Sequence, residues 1–181
     1  MPRFATLVCV LVLGAGSAFA AGAACANERS AEVVSSFQMF CTPGPPDFAA
    51  LDTKATAMKL SVRKDVVAPP QPGKSARSKS WLVSLASGRH ELVASEAHGP
   101  KGEFATCGIG AEDVDGEDLR HELINAMKLG SPSRQSFSAD GAQRLTVWKF
   151  PDDLSLLLAD GTPIKIPGIY LTLVHQTNTS H

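Results

Sequence analysis

The chain has no excess of charge of either sign. It contains 17 Lys and Arg residues against 18 Asp and Glu residues, so its formal net charge is −1. Its one basic cluster consists of Lys74, Arg77 and Lys79. Segment 69–78, which contains the first two of these residues, has no aromatic side chain. A nucleic-acid-binding domain needs a concentrated basic surface, because phosphate contacts supply most of the affinity. The composition therefore argues against nucleic acid as a partner, and segment 69–78, rich in Pro, Gly and Ser, is predicted to be a solvated loop.

Long hydrophobic runs are also absent. The longest apolar stretch, residues 4–13, is shorter than the roughly 20 residues that cross a bilayer as a helix. It follows Arg3 and precedes small residues that contain A-x-A-like cleavage sites, an order typical of a secretory signal peptide. We therefore predict a signal peptide over residues 1–26 and a single exported domain over residues 27–181. The expected location is periplasmic or secreted, with no transmembrane segment.

Cysteine is scarce, and its positions leave the cleavage site open. Cleavage after Ala20 keeps Cys25 as an odd third thiol, whereas cleavage after Ala26 removes it and leaves an even pair. We favour the later cleavage. A third alternative is a lipid anchor at Cys25, which is less favoured because the usual leucine three positions upstream is missing.

The even pair is Cys41 and Cys107. In an oxidising compartment a disulfide between these two residues is the favoured interpretation, and a catalytic thiol is the alternative. Closing a loop of about 66 residues corresponds to roughly 4 kcal/mol of stabilisation in the chain-entropy model. The bridge would then contribute about as much as the whole stability of a small domain.

The exported segment also lacks the short motifs that identify common active sites. It has no G-x-S-x-G, no G-x-x-x-x-G-K-[ST], no G-x-G-x-x-G between a strand and a helix, and no C-x-x-C. The zinc-like sequence at His121 has Asn125 in place of the second histidine, and the calcium-like loop begins with Ala111 instead of a ligand. We therefore predict no catalytic motif, no metal site and no cofactor. An enzyme is less favoured than a non-enzymatic protein.

Glu96 and His98 are the one candidate acid–base pair. They alternate along a predicted strand, so their side chains project to the same side about 6–7 Å apart. This spacing suits general acid–base chemistry or half of a metal site. An exposed pair at a strand end is the favoured alternative, because no third partner is identifiable and surface His and Glu residues are common.

Large aromatic residues with a polar atom are few. The chain has two tryptophans and one tyrosine, and Trp81, Trp148 and Tyr170 each fall in a predicted strand. Aromatic residues favour strands whether or not they have a function. We therefore expect these three side chains in the core, with an exposed binding face as the alternative.

Three helices are predicted from apolar residues at helical spacing. The first, 27–41, has an apolar face formed by Val33, Val34, Phe37, Phe40 and Cys41. A second begins after Asp47, with Phe48, Leu51, Ala55 and Met58 on one face. A third begins at Asp115 and ends at Gly130, with an apolar face formed by Leu119, Leu123, Ala126 and Met127.

Elsewhere the apolar period is two, which is typical of strands. Eight strands are predicted, at about 60–66, 81–85, 91–97, 104–109, 133–138, 142–150, 154–159 and 166–175. Tight turns are predicted at Ser87-Gly88, Asp140-Gly141 and Asp160-Gly161. Helices grouped apart from hairpin-linked strands indicate an α+β fold, in which an antiparallel meander sheet packs against two N-terminal helices and one mid-chain helix.

A set of structural residues resembles a family of small uncharacterised exported proteins and lipoproteins of Gram-negative bacteria. The set spans most of the exported chain: Phe37-x-x-x-Cys41, Phe48, Leu51, Trp81, Thr106-Cys107-Gly108-Ile109 and Trp148. The resemblance implies location and architecture, and it implies no activity or substrate. The weak lipid-attachment sequence at Cys25 departs from the lipoprotein members of that family.

The sequence therefore predicts an exported protein without naming its ligand. The favoured function is a non-enzymatic binding module for an unknown partner protein, envelope component or small ligand. A small periplasmic hydrolase that uses Glu96 and His98 or an unpaired cysteine is the second hypothesis. A structural or stress-related envelope protein is the third.

Overall fold

A computed structural model of the chain describes residues 18–42, 44–69, 71–86, 88–100, 102–139, 141–161 and 168–178. Its helices are α1 (Ala18–Cys41), α2 (Phe48–Ala57) and α3 (Gly116–Met127). Its strands are β1 (Ser61–Val67), β2 (Ser75–Leu85), β3 (Gly88–Gly99), β4 (Gly102–Ala111), β5 (Arg134–Phe137), β6 (Gln143–Lys149), β7 (Leu154–Gly161) and β8 (Ile169–Asn178). The predicted α+β fold is confirmed.

The strands form one antiparallel sheet of eight, in the order β1-β2-β3-β4-β8-β7-β6-β5. Two four-stranded meanders, β1–β4 and β5–β8, meet where β4 pairs with β8. The central pair runs from Gly102 opposite Asn178 to Ala111 opposite Ile169. The edges of the described sheet are therefore β1 and β5, and α3 connects the two meanders.

The three helices pack on one face of this sheet, which we call the helix face. Cys107 of β4 lies on it, bonded to Cys41 at the end of α1, and Asp160 of β7 contacts α3. Side chains alternate between the two faces of a strand. The opposite face, which we call the open face, carries Phe104, Gly110 and Tyr170, and none of the described helices covers it.

Helix α1 has the predicted apolar face. Val33, Val34 and Phe37 are almost completely buried, and Phe40 and Cys41 are buried beside them. These residues pack against the sheet and α3, which accounts for their helical spacing. The helix begins at Ala18, earlier than the predicted residue 27. Residues 1–17 of the predicted signal peptide lie outside the described residues.

The starts of α2 and α3 follow the predicted capping residues. Asp47 accepts a hydrogen bond from the Ala50 backbone N–H at 2.9 Å. Asp115 accepts from the N–H groups of Glu117 and Asp118 at 2.9 and 3.0 Å. A carboxylate at this position satisfies backbone donors that have no partner within the helix, and it interacts favourably with the helix dipole.

The ends of these two helices differ from the prediction. Met58 follows the last turn of α2 and is exposed, so it does not extend the apolar face of Phe48, Leu51 and Ala55. Helix α3 ends at Lys128, which takes a left-handed conformation with φ of 52° two residues before Gly130. Ala126 is exposed, so it does not belong to the buried apolar face of α3.

The first two strands also correct the prediction. Strand β1 is exposed along its whole length, including Val62 and Val66, because an edge strand has a neighbour on one side only. Strand β2 begins at Ser75, so Arg77 and Lys79 are strand residues rather than part of a solvated loop. Strand β2 pairs with β3 over eleven residue pairs. This pairing stabilises the strand even though Ser and Ala have a low propensity for strands.

The predicted turn at Asp160-Gly161 is wrong. Both residues belong to β7, and Asp160 is buried and bound by two arginines. The preference of the Asp-Gly dipeptide for a turn is outweighed here, because the Asp160 carboxylate is hydrogen-bonded to side chains inside the fold. Ser87 and Asp140, the first residues of the other two predicted turns, lie outside the described residues. Among the described helices, none is long and apolar enough to cross a membrane.

His90 is a buried histidine on the helix face of β3. Burial lowers its pKa, and the charge of Glu32 opposes that shift without cancelling it. An unfolded chain binds a proton at His90 near pH 6.5, whereas the folded chain resists that proton until a lower pH. The unfolded state therefore binds more protons in this window, and the free energy of unfolding falls as the pH drops below about 6.5.

We predict that His90→Gln makes this pH dependence shallower. The slope contributed by one proton is at most about 1.4 kcal/mol per pH unit. Urea denaturation of the parent and the variant between pH 5 and 8 measures it. His121→Gln is the matched control, because His121 is an exposed residue of α3. Equal slopes in the parent and in His90→Gln would rule out His90 as the titrating group.

Candidate functional site

The predicted pair Glu96 and His98 lies at the end of β3 beside a third acidic residue. His98 Nε2 is 3.7 Å from Glu96 Oε1, and His98 Nδ1 is 3.3 Å from Glu103 Oε1. Glu103 reaches this position because β3 and β4 pair His98 opposite Glu103. The imidazole therefore lies between two carboxylates.

Glu96 has a second cationic partner. Its Oε1 accepts a hydrogen bond from Arg77 Nε at 2.7 Å, and the guanidinium of Arg77 lies 3.9 Å from the ring centroid of Phe48. One oxygen of this carboxylate is therefore already occupied by a partner within the fold. The bond to Arg77 gives Glu96 a structural role in joining β3 to β2 and α2.

A cleft of about 430 Å³, which we call the acid–base cleft, surrounds these groups. His175 also lines it, because β4 and β8 place His175 opposite Ala105, which in turn lies opposite Glu96. The other lining residues are Pro45, Pro46, Asp47, Phe48, Phe104 and Ala105. The described lining offers no hydroxyl or thiol side chain as a nucleophile.

Neither Cys41 nor Cys107 offers a free catalytic thiol. Cys41 and Cys107 form a disulfide, with their Cα atoms 5.4 Å apart, as predicted. Both residues are buried where α1 meets β4. Within the described residues, no group of three His, Cys, Asp or Glu side chains is placed to hold a metal ion.

A buried ion cluster, which no sequence motif predicts, lies between α3 and the second meander. Asp160 is 2% exposed and accepts hydrogen bonds from Arg120 at 2.7 Å and from Arg144 at 2.7 and 3.1 Å. Arg144 also donates to Glu117 at 2.7 Å, and Arg120 donates to Thr146 at 2.6 Å. The hydrogen bonds to Asp160 and Glu117 raise the pKa of Arg144, whose guanidinium stays charged.

Gly116, the first residue of α3, makes room for this cluster. A Cβ atom there would lie 2.5 Å from Asp160 Cβ and 2.6 Å from its Oδ2, closer than a Cβ atom approaches a non-bonded neighbour in folded proteins. The start of α3 can therefore come against the carboxylate only because residue 116 is glycine. The cluster fixes α3 on β6 and β7, and we regard it as structural.

A second cleft, of about 500 Å³, lies mainly on the open face, and we call it the Tyr170 cleft. One row of cross-strand neighbours forms its floor: Leu82, Glu91, Gly110, Tyr170 and Ala159. Tyr170 is 41% exposed, whereas Trp81 and Trp148 are buried on the helix face. The expectation that all three aromatic residues lie in the core is therefore correct for the tryptophans and wrong for Tyr170.

The tyrosine ring lies against a glycine of the neighbouring strand. A Cβ atom at Gly110 would be 3.3 Å from Tyr170 Cδ2 and 3.6 Å from Cε2, so the small residue lets the ring approach the backbone. Burial and the charge of Glu91 raise the pKa of Tyr170, which keeps its phenol neutral. Arg63 Nη1 of β1 lies 3.3 Å from Glu91 Oε2 at the same cleft.

Comparison with other proteins identifies no relative. The chain matches no known protein family, no characterised protein and no solved structure. The resemblance to exported proteins of Gram-negative bacteria therefore stays a prediction from the residues that carry it. The functional argument depends on the geometry of the two clefts.

The two clefts differ in what their side chains already bind. In the acid–base cleft Glu96 is hydrogen-bonded to Arg77, and His98 lies between two carboxylates. In the Tyr170 cleft Arg63 is paired with Glu91, but the exposed part of the Tyr170 ring offers an apolar surface, and the volume is within the range of small-molecule sites. The Tyr170 cleft is the stronger candidate for a ligand site.

Proposed function

We propose that this chain is an exported, non-enzymatic module that binds a ligand in the Tyr170 cleft. The observation that carries the proposal is an exposed tyrosine in a cleft of about 500 Å³ on a sheet face that none of the described helices covers. Ligand sites are typically concave and combine apolar surface with a few polar groups. The glycines at the cleft also leave backbone groups within reach of a bound molecule.

The predicted signal peptide supports a periplasmic or secreted location. A disulfide between Cys41 and Cys107 fits an oxidising compartment, where such bonds form and persist. We therefore place this binding function outside the cytoplasm. In this proposal the disulfide, the ion cluster and the helix layer support a sheet whose other face meets the ligand.

Tyr170 is the only tyrosine of the chain, which allows a site-specific test. Incorporation of 3-fluorotyrosine gives one fluorine resonance that reports on this cleft alone. We expect at least one class in a library of neutral, anionic and cationic small molecules to shift that resonance in a saturable way. The same titration with Leu82→Lys should show weaker binding, because Leu82 forms part of the cleft floor.

A matched control separates this function from hydrolysis. Glu96→Gln with His98→Ala changes the acid–base cleft and leaves the Tyr170 cleft intact. This double variant should bind the same compounds with the same affinity. If no compound shifts the fluorine resonance, the proposal is wrong. If the protein hydrolyses a compound and the double variant does not, the hydrolase hypothesis replaces it.

A further inference from the structure

The Tyr170 cleft contains charged groups of both signs. Arg63 and Arg89 line it together with Glu91 and Glu112, and Arg63 pairs with Glu91 at 3.3 Å. A third side chain of basic type, His90, also borders the cleft, and burial lowers its pKa. The charges of the lining therefore cancel. A ligand with a large net charge of either sign would bind little more tightly to such a surface. Its attraction to the two residues of opposite charge is offset by its repulsion from the two residues of like charge.

The same lining is rich in planar polar groups. Guanidinium, carboxylate and amide groups occur at Arg89, Glu91 and Gln143, and each can form two hydrogen bonds in one plane. Adjacent hydroxyl groups on a ligand ring present donors and acceptors at matching spacing. The polar part of the cleft is therefore suited to a ligand with many hydroxyl groups.

Tyr170 supplies the apolar part. Tyr170 is 41% exposed on the cleft floor, and its ring is held against the backbone at Gly110. An aromatic ring offers a rigid apolar surface at a low cost in conformational entropy. A pyranose ring has C–H groups on one face and hydroxyl groups around its edge, so it can pack on the tyrosine while its hydroxyls meet the planar polar groups.

We propose that the Tyr170 cleft binds a neutral saccharide. This inference rests on the ligand-binding function proposed above and names the chemical class of its ligand. The cleft volume of about 500 Å³ accommodates one to a few sugar rings, which is the size at which an oligosaccharide segment is recognised. Neutral sugars and sugar segments of envelope glycans share this chemistry.

Isothermal titration calorimetry of the purified protein tests the inference. The probes are two neutral tetrasaccharides, β-1,4-linked N-acetylglucosamine and β-1,4-linked glucose, and two charged ones, the glucosamine and galacturonic acid tetramers. We expect a neutral tetrasaccharide to bind with a dissociation constant below about 1 mM, and the charged tetramers to bind more weakly. Tyr170→Ala should lower the affinity for the neutral tetrasaccharide about tenfold, and Tyr170→Phe should retain most of that affinity.

Phe104→Ala is the matched control variant. Phe104 is 40% exposed on the open face of β4, but it lines other clefts, so its removal should change the affinity less than about twofold. The inference is overturned if neither neutral tetrasaccharide binds, or if Tyr170→Ala and Phe104→Ala weaken binding equally. If other compounds shift the fluorine resonance of Tyr170 while saccharides do not, the cleft binds a ligand and only the saccharide assignment fails.

Discussion

Asp160→Ala is expected to lower the free energy of unfolding by about 3–5 kcal/mol. The carboxylate is 2% exposed and is the shared acceptor of Arg120 and Arg144. Its removal leaves the Arg120 guanidinium, which is itself largely buried, with the exposed carboxylate of Glu117, 3.7 Å from its Nε, as its remaining anionic partner. The cost arises mainly from that poorly compensated charge, because a buried ion has lost its hydration and needs a close partner in its place.

Asp65→Ala is the matched control for this prediction. Asp65 also pairs with a basic residue, Lys79, at 3.6 Å, but its side chain is 55% exposed. An exposed ion pair contributes roughly 0–1 kcal/mol, because water screens the charges. Chemical denaturation of both variants gives the comparison. A loss at Asp160 no larger than the loss at Asp65 would show that the ion cluster does not hold α3 on the sheet.

Removal of the disulfide is expected to lower the free energy of unfolding by about 4 kcal/mol. The bond between Cys41 and Cys107 spans 66 residues, and a cross-link over such a loop restricts the unfolded chain. The double variant Cys41→Ala with Cys107→Ala removes the bond without leaving a buried thiol. Urea denaturation with and without a reducing agent measures the effect.

Reduction provides the internal control for the disulfide. The parent protein should lose stability when reduced, whereas the double variant should be insensitive to the reducing agent. Intact mass before and after thiol alkylation reports independently whether the parent carries a free thiol. A parent protein that is equally stable when reduced would contradict a stabilising bridge, and alkylation of Cys41 or Cys107 without reduction would contradict the bond itself.

The predicted acid–base pair shows which part of a site can be predicted from local sequence spacing. The i, i+2 spacing places Glu96 and His98 on one side of β3, and the structure brings the two side chains to 3.7 Å. Glu103 and His175 could not be added from sequence, because their positions depend on which strands pair and in which register. Arg77, predicted as part of a loop, binds Glu96 for the same reason.

Tyr170 and Asp160 illustrate the opposite limit. Local rules predict a core aromatic residue at Tyr170 and the start of a tight turn at Asp160. Tyr170 lies on the open face because of the register between β4 and β8, and Asp160 lies in β7 because two arginines from α3 and β6 bind it. Strand β4 is far from Tyr170 in the sequence, and neither arginine is a near neighbour of Asp160. No local sequence pattern therefore indicates either contact.

The α+β class can be predicted from the sequence alone, as can the apolar face of α1, the capping residues Asp47 and Asp115, and the pairing of Cys41 with Cys107. These features depend on the periodicity of apolar residues, on local hydrogen bonds or on cysteine parity, each of which can be read from a short segment or from a residue count. The strand order, the buried ion cluster and the two clefts appear only in the folded chain. Those depend on contacts between residues far apart in the chain, where burial and charge pairing outweigh local preference.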